Sequence, residues 1–294
     1  MASTPRHLVG LLELGFELQI NETAFGQHLR KVMNPLKKII SKGPRQACAA
    51  GFRRLASMFE PASLPAPTGS DLTHSGYLKH LFPATGGWPN HGNIETMNYV
   101  VQHRPDDAAM LEIGTFCGQS VCALAYLLEK SGAPNRLFCC DIWRYDEGTA
   151  TPASPVGDAR HLTYADYNRF ILDSYIRNAK FFCHGNPPSS LEIDSDNFFS
   201  WWHASREATD VFGRTVQLGG PLSFCFIDGN HNYDYARRDF ENTDRLLVPG
   251  GFILFDDSAD DSPWVDVRKV VSEVLATGQY KLISKNPNYL LQKI

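Results

Sequence analysis

The chain has 294 residues, 43% of them apolar and 20% charged, with a formal net charge of −4. This balance suits a soluble globular protein of one large domain with an appendage, or of two small domains. No stretch approaches the roughly 18 apolar residues of a transmembrane helix, and the seven cysteines, without a CxxC pair or a Cys/His cluster, argue for reduced thiols over a disulfide or zinc framework.

Residues 1–60 read as a basic helical extension. Leu8 to Ile20 is apolar but broken by Glu13 and Glu17, which makes a poor signal-peptide core, so a cytoplasmic location is expected. Eight basic residues and no acid lie between Arg30 and Arg54. Cys48, Phe52, Leu55 and Phe59 recur at helical intervals and make one apolar stripe. The extension is expected to pack on the chain's own body or on a second subunit of a homo-oligomer. Peripheral membrane contact through residues 30–59 is the alternative. Nucleic acid is disfavoured, because aromatic residues are scarce there and no reading motif is visible. A Pro-rich linker over residues 61–75 marks a domain boundary.

Beyond the linker, over residues 76–294, strand and helix patterns alternate. A helix over Ile94–His103 leads into a strand at Met110–Ile113. Helix Gln119–Lys130 and strand Leu137–Cys140 come next, then helix Tyr164–Asn178 and a short third strand at Phe181–Cys183. The fourth strand is Leu222–Ile227, succeeded by helix Tyr233–Leu247 and a fifth strand at Phe252–Phe255. Helix Val265–Ala276 precedes a hairpin of Tyr280–Ser284 and Tyr289–Lys293. Near-continuous apolar strands alternating with helices predict a doubly wound α/β sheet, mostly parallel, with one antiparallel edge. Two long connections, Trp143–Thr163 and Leu191–Gly220, are expected to carry specificity or form lids.

Ligands of open α/β sheets bind outside the carboxyl ends of the strands. At those ends this chain places glycines and acids. Gly114 and Gly118 flank a strand-to-helix turn that includes Thr115, where glycine lets backbone N–H groups approach a ligand. Asp141 ends the next strand, where a carboxylate can accept ribose hydroxyls. Asp228, Asp256 and Asp257 end two further strands. Three like charges in one place call for a shared proton or a cation such as Mg²⁺. His231, just beyond Asp228, is the candidate base. Trp143, Tyr145, Trp201, Trp202 and Trp264 are candidates to line a ligand pocket or to fill the core, and Trp143, two residues beyond Asp141, is placed beside the ligand.

The motif Glu112-x-Gly114-x-x-x-Gly118, the acid Asp141 and the bend Leu246-Leu247-Val248-Pro249-Gly250-Gly251 together resemble class I S-adenosylmethionine-dependent methyltransferases. Phe226-Ile227-Asp228-Gly229-Asn230-His231-Asn232-Tyr233 is similar to the methyltransferase-24 type of small-molecule O-methyltransferase. The resemblance covers roughly residues 90–294. It implies a Rossmann-like methyltransferase fold with a seven-stranded sheet. It also implies methyl transfer from S-adenosylmethionine to an oxygen of a small-molecule acceptor, such as a sugar, glycoside or phenol. On this reading Glu112, Gly114, Thr115, Gly118, Asp141, Trp143, His184 and Asp228 border the cofactor, and His231 and Asp228 serve catalysis. Asp228, Asp256 and Asp257 would hold Mg²⁺. Asn230 stands where some metal-dependent relatives carry an acid. His91 and Asn93 are expected to face the cofactor from the preceding helix. A catalytically silent scaffold that binds the cofactor and docks through its basic segment is the competing reading.

Overall fold

The structure, a computed structural model, describes residues 72, 75–88, 90–145, 162–183 and 185–294. The basic extension, most of the linker and His184 lie outside the described residues, and with them the expectations of a membrane or subunit contact through residues 30–59.

Two helices, α1 (Gly76–Ala84) and α2 (His91–His103), precede the sheet. The alternating units are β1 (Ala109–Ile113), α3 (Gln119–Ser131), β2 (Leu137–Asp141), α4 (Tyr164–Phe182), β3 (Ser189–Glu192) and α5 (Ser195–His203). A small hairpin, β4 (Glu207–Thr209) and β5 (Thr215–Gln217), comes next. Then come β6 (Leu222–Ile227), α6 (Tyr233–Asp244), β7 (Leu247–Phe255), α7 (Val265–Ala276), β8 (Tyr280–Lys285) and β9 (Tyr289–Lys293). The main sheet has seven strands in the order β3-β2-β1-β6-β7-β9-β8. Strands β1, β2, β3, β6 and β7 run parallel, and β9 and β8 return antiparallel at one edge.

The apolar runs have a simple cause. Each central strand is covered on both faces, so nearly every position takes an apolar side chain, with Glu112 in β1 and Ser223 in β6 as buried polar exceptions. Met110, Phe224, Phe226, Phe252 and Leu254 point to one side, packed with helix residues such as Met97, Val121 and Leu124. Leu111, Ile113, Cys225, Ile253 and Phe255 point to the other, against Phe198, Trp202 and Val270. The register aligns Ile113 with Cys140 and Ile227, and Ile227 with Phe255. Four strands therefore end level with one another, and the loops leaving them gather at one edge. The six described cysteines are all free and buried, as reduced core thiols should be. No described helix is long and apolar enough to cross a membrane.

Three expectations are corrected. Phe181–Cys183 is not a strand: α4 runs to Phe182, and Cys183 caps it. Ile171, Tyr175, Ala179 and Cys183 are all buried at intervals of four, whereas Phe181 is exposed. A short apolar run at a helix end is indistinguishable from a strand by pattern alone. The true third strand, Ser189–Glu192, carries two serines and a glutamate, and Ser190 is buried against the Tyr175 hydroxyl at 2.5 Å. The Leu191–Gly220 stretch is not a lid. It holds the end of β3, then α5 and the β4–β5 hairpin, with the Trp202 indole N–H donating to Gly220 O at 2.8 Å and its ring edge-on to Phe138. Finally, the Pro249-Gly250-Gly251 bend lies inside β7 and does not precede it, and α6 stops at Asp244.

Candidate functional site

The turn after β1 forms the floor of the site. Gly114 has φ +83°, and a Cβ there would lie 2.0 Å from the carbonyl oxygen of Asp228. Gly118 has φ +88°, and a Cβ there would lie 2.9 Å from the Tyr175 ring. Both glycines are thus required by packing within the protein itself. Among described non-glycine residues, positive φ occurs at Phe116, Trp143, Asp257 and Ser205. The first three lie just beyond β1, β2 and β7. Such strained backbone concentrates at functional sites, and here it marks one edge of the sheet.

Asp141 ties this floor together. Its Oδ2 accepts the backbone N–H of Thr115 at 2.8 Å and of Phe116 at 3.0 Å, and its Oδ1 accepts the N–H of Trp143 at 2.7 Å. Burial raises its pKa, while these N–H groups pull it back down. A carboxylate has about four acceptor positions, so three are used within the chain. That leaves room for about one further hydroxyl, fewer than the pair that the sequence suggested. Trp143 is buried and braces the turn from beneath: its indole N–H donates to Phe116 O at 2.7 Å.

Glu112 lies within β1 and is fully buried. Ser120 donates its hydroxyl to Oε1 at 2.7 Å, while Oε2 has no hydrogen-bond partner. Burial, chiefly, pushes its pKa up to about 8, with the Asp141 and Asp256 carboxylates adding to the shift and Ser120 opposing it. An orphaned buried acid oxygen costs free energy unless something meets it. With its pKa at about 8 the group is a neutral carboxyl near pH 7, which lessens that cost, and the acceptor position left on Asp141 fits a hydroxyl of S-adenosylmethionine.

Asp228, Asp256 and Asp257 do come together at the ends of β6 and β7. The pKa of Asp228 is raised well above the carboxylate range by burial, by the Asp256, Glu112 and Asp257 charges, and by a hydrogen bond with Asp256. Two amide groups, from Asn93 and Asn288, converge on Asp256 Oδ1 at 2.5 Å each. His231 Nε2 lies 3.1 Å from Asp257 Oδ2 and 3.8 Å from Asp228 Oδ1, without hydrogen-bond alignment to either. Burial and Asp256 raise the Asp257 pKa, and His231 opposes them. Among the described residues, no group of three or more His, Cys, Asp or Glu side chains is arranged to hold a metal ion. Mg²⁺ demands near-octahedral oxygen coordination, whereas here Asp256 Oδ1 accepts two amides, Asp257 Oδ2 faces the His231 ring, and Asp228 bonds to Asp256. The donor set at Asp228, Asp256 and Asp257 therefore does not fit the expected metal.

Other expected residues fall on either side of the prediction. Asn93 faces Asp256, whereas His91 packs edge-on against Phe82 at 4.7 Å. Tyr145 packs on Phe116 and Tyr167 above the turn. Trp201 and Trp202 belong to the α5 side of the core, with the Arg206 guanidinium 4.0 Å from the Trp201 ring centre. Asn230 Oδ1 accepts the N–H of Asn232 at 3.0 Å and serves its own loop. Phe116, Ser120 and Asn288 were not anticipated. Ser120 alone left a local signal, a hydroxyl in the first turn of the helix just after the glycine turn.

No curated protein matches the sequence. Solved structures that the chain is similar to include an O-methyltransferase from Bacillus cereus in complex with SAH. It is 14% identical with a TM-score of 0.43, covering 83% of this chain and 97% of that one. Another is the O-methyltransferase TomG from Streptomyces achromogenes, involved in tomaymycin synthesis and solved with SAM. It is 14% identical with a TM-score of 0.45, covering 74% and 89%. A third is the calicheamicin methyltransferase CalS11, 12% identical with a TM-score of 0.44, covering 93% and 94%. The family model described as a methyltransferase domain matches residues 111–258, half of the chain, from β1 to just past the end of β7. The chain therefore belongs to the methyltransferase-24 family of class I S-adenosylmethionine-dependent methyltransferases.

Proposed function

We propose that the protein transfers a methyl group from S-adenosylmethionine to an oxygen of a small molecule. The observation that carries this reading is the juxtaposition of two differently prepared strand ends. One holds Asp141, fixed by three backbone N–H groups beside the orphaned oxygen of Glu112. The other holds His231 between Asp257 and Asp228.

When bound, S-adenosylmethionine supplies an electrophilic methyl group. The protein's own share is positioning and proton handling. Asp141 offers its remaining acceptor position to a ribose hydroxyl, and the buried Glu112 carboxyl, bonded to Ser120, shapes the floor beside it. Gly114, Thr115 and Gly118 form the turn that sets the backbone against the ligand. His231 accepts the proton of the acceptor hydroxyl through Nδ1, the ring nitrogen turned away from Asp257, and the Asp257 carboxylate, 3.1 Å from Nε2, stabilises the resulting imidazolium. No step of this reading runs through a divalent cation: Asn93 and Asn288 donate to Asp256 Oδ1, and His231 faces Asp257 Oδ2.

Calorimetric titration with S-adenosylhomocysteine tests it. The wild type is expected to bind, and Asp141→Ala to lose at least about tenfold in affinity, the value of one charge-assisted hydrogen bond. A wild type that binds none of the nucleoside overturns the reading.

A further inference from the structure

Trp264 stands where a helix would ordinarily want another residue. It is the N-cap of α7 and makes no side-chain capping bond, although Ser, Thr, Asp and Asn are the residues that stabilise this position. Its ring is 45% exposed, and Val265 beside it is 58% exposed. The ring centre lies 4.7 Å from that of His231, with 40° between the planes. Its backbone is held: the Trp264 N–H donates to Ser262 Oγ at 3.2 Å, and Val265 N–H to Pro263 O at 3.0 Å. A large aromatic side chain on a fixed loop, nearly half open to solvent and set against the candidate base, runs against the local capping preference. Such conflicts are expected at functional sites.

The charges around it restrict what the platform accepts. The loop carries Asp257, Asp260 and Asp261. The loop has no Lys or Arg of its own, and the two basic side chains that reach it from neighbouring elements are committed: Arg268 of α7 donates to the carbonyls of Ala259, Asp260 and Ser262, and Lys285 of β8 to the Asp260 carboxylate at 3.1 Å. A negatively charged acceptor would meet carboxylates with no free cation on that loop. An uncharged ring would stack on the indole and lose nothing.

We infer that Trp264 is a specificity-determining residue, the stacking surface for an uncharged, hydroxyl-bearing ring whose reacting hydroxyl is thereby placed at His231. This rests on the methyl-transfer reading and names the acceptor's chemistry within it. Phenols and sugars both present such a ring, the first through its π-face and the second through its C–H face.

The test uses the full-length protein saturated with S-adenosylhomocysteine. Catechol, methyl β-glucoside and protocatechuate (the catechol ring with an added carboxylate) are titrated by calorimetry into the wild type, Trp264→Ala and Trp264→Phe. Catechol or the glucoside should bind the wild type, and whichever binds identifies the source of the ring. Trp264→Ala should weaken that probe about tenfold, the worth of a stacked aromatic contact, while Trp264→Phe retains most of it. Protocatechuate should bind at least about tenfold more weakly than catechol. Affinity for S-adenosylhomocysteine should be the same in all three proteins. Unchanged probe affinity in Trp264→Ala, equal binding of protocatechuate, or no binding of either uncharged probe to the loaded wild type overturns the inference. In each of those cases the cofactor still binds, which separates them from failure of the methyl-transfer reading itself.

Discussion

The carbonyl oxygen of Asp228 occupies the space that a side chain at Gly114 would need, since a Cβ there would lie 2.0 Å from it. This contact locks the end of β1 to the end of β6, and it brings the glycine turn and the acid-bearing loop into one site. The backbone of each strand end therefore depends on the other.

Gly114→Ala combines that clash with a left-handed φ, so it should cost well over about 1 kcal/mol of folding stability. Gly132→Ala is the control. Gly132 also has positive φ, but nothing lies within 4 Å of a Cβ there, so only the backbone cost of about 1 kcal/mol applies. Urea unfolding of the two variants should separate them. Equal losses would remove the proposed contact as the cause.

Glu112 gives the protein a pH-dependent stability. Its folded pKa of about 8 lies above the ordinary value of 4.5, so the folded state holds the proton more tightly than the unfolded chain. Its contribution is fully present below about pH 4.5 and is lost as pH rises through about 8. Glu112→Gln cannot titrate, so its stability should gain on that of the wild type across that window. The gain should be on the order of a few kcal/mol at the alkaline end. Thermal unfolding at pH 5 and pH 8.5 checks it, and the same difference between the two proteins at both values would show the idea to be wrong.

Asn288 joins three segments through one side chain: its amide donates to Asp256 and Asn93, and its oxygen accepts the N–H of Ala259. Asn288→Ala leaves buried polar groups without partners and should cost about 1–3 kcal/mol. Asn288→Asp should cost more, because it sets a second carboxylate against Asp256. Thermal unfolding ranks the two, and the reverse order would refute the amide clamp.

His231→Ala should leave S-adenosylhomocysteine affinity unchanged within about twofold and reduce methyl transfer by about 10²–10⁴-fold, the usual worth of a general base. Labelled S-adenosylmethionine with a cell extract as acceptor source provides the readout. Undiminished incorporation would move the base elsewhere.

Much of this arrangement was legible along the chain. The four strands that end at the site each announce themselves, because burial on both faces demands an unbroken apolar run. Gly114, Gly118, Asp141, Asp228 and His231 stand at fixed offsets from those runs, so their convergence is implied once the strands are parallel. Ser189–Glu192 escaped notice because an edge strand needs fewer apolar residues, and the apolar end of α4 was available to be mistaken for it. The Leu191–Gly220 stretch looked like an insertion because its elements are short and its tryptophans serve the core.

What the amino-acid order determined by itself was the succession of strands and helices and the acids and glycines at their ends, since backbone preference and apolar periodicity act over a few residues. The tertiary structure alone decided that Asn93 and Asn288 hold Asp256, across 163 and 32 positions of sequence. It also decided that Asp141 spends three acceptor positions on the turn after β1, and that Trp264 stands open beside His231. Those contacts depend on β1 lying between β2 and β6, and on the hairpin folding back beside β7. Strand order of that kind is set by how whole faces pack, and no local pattern encodes it.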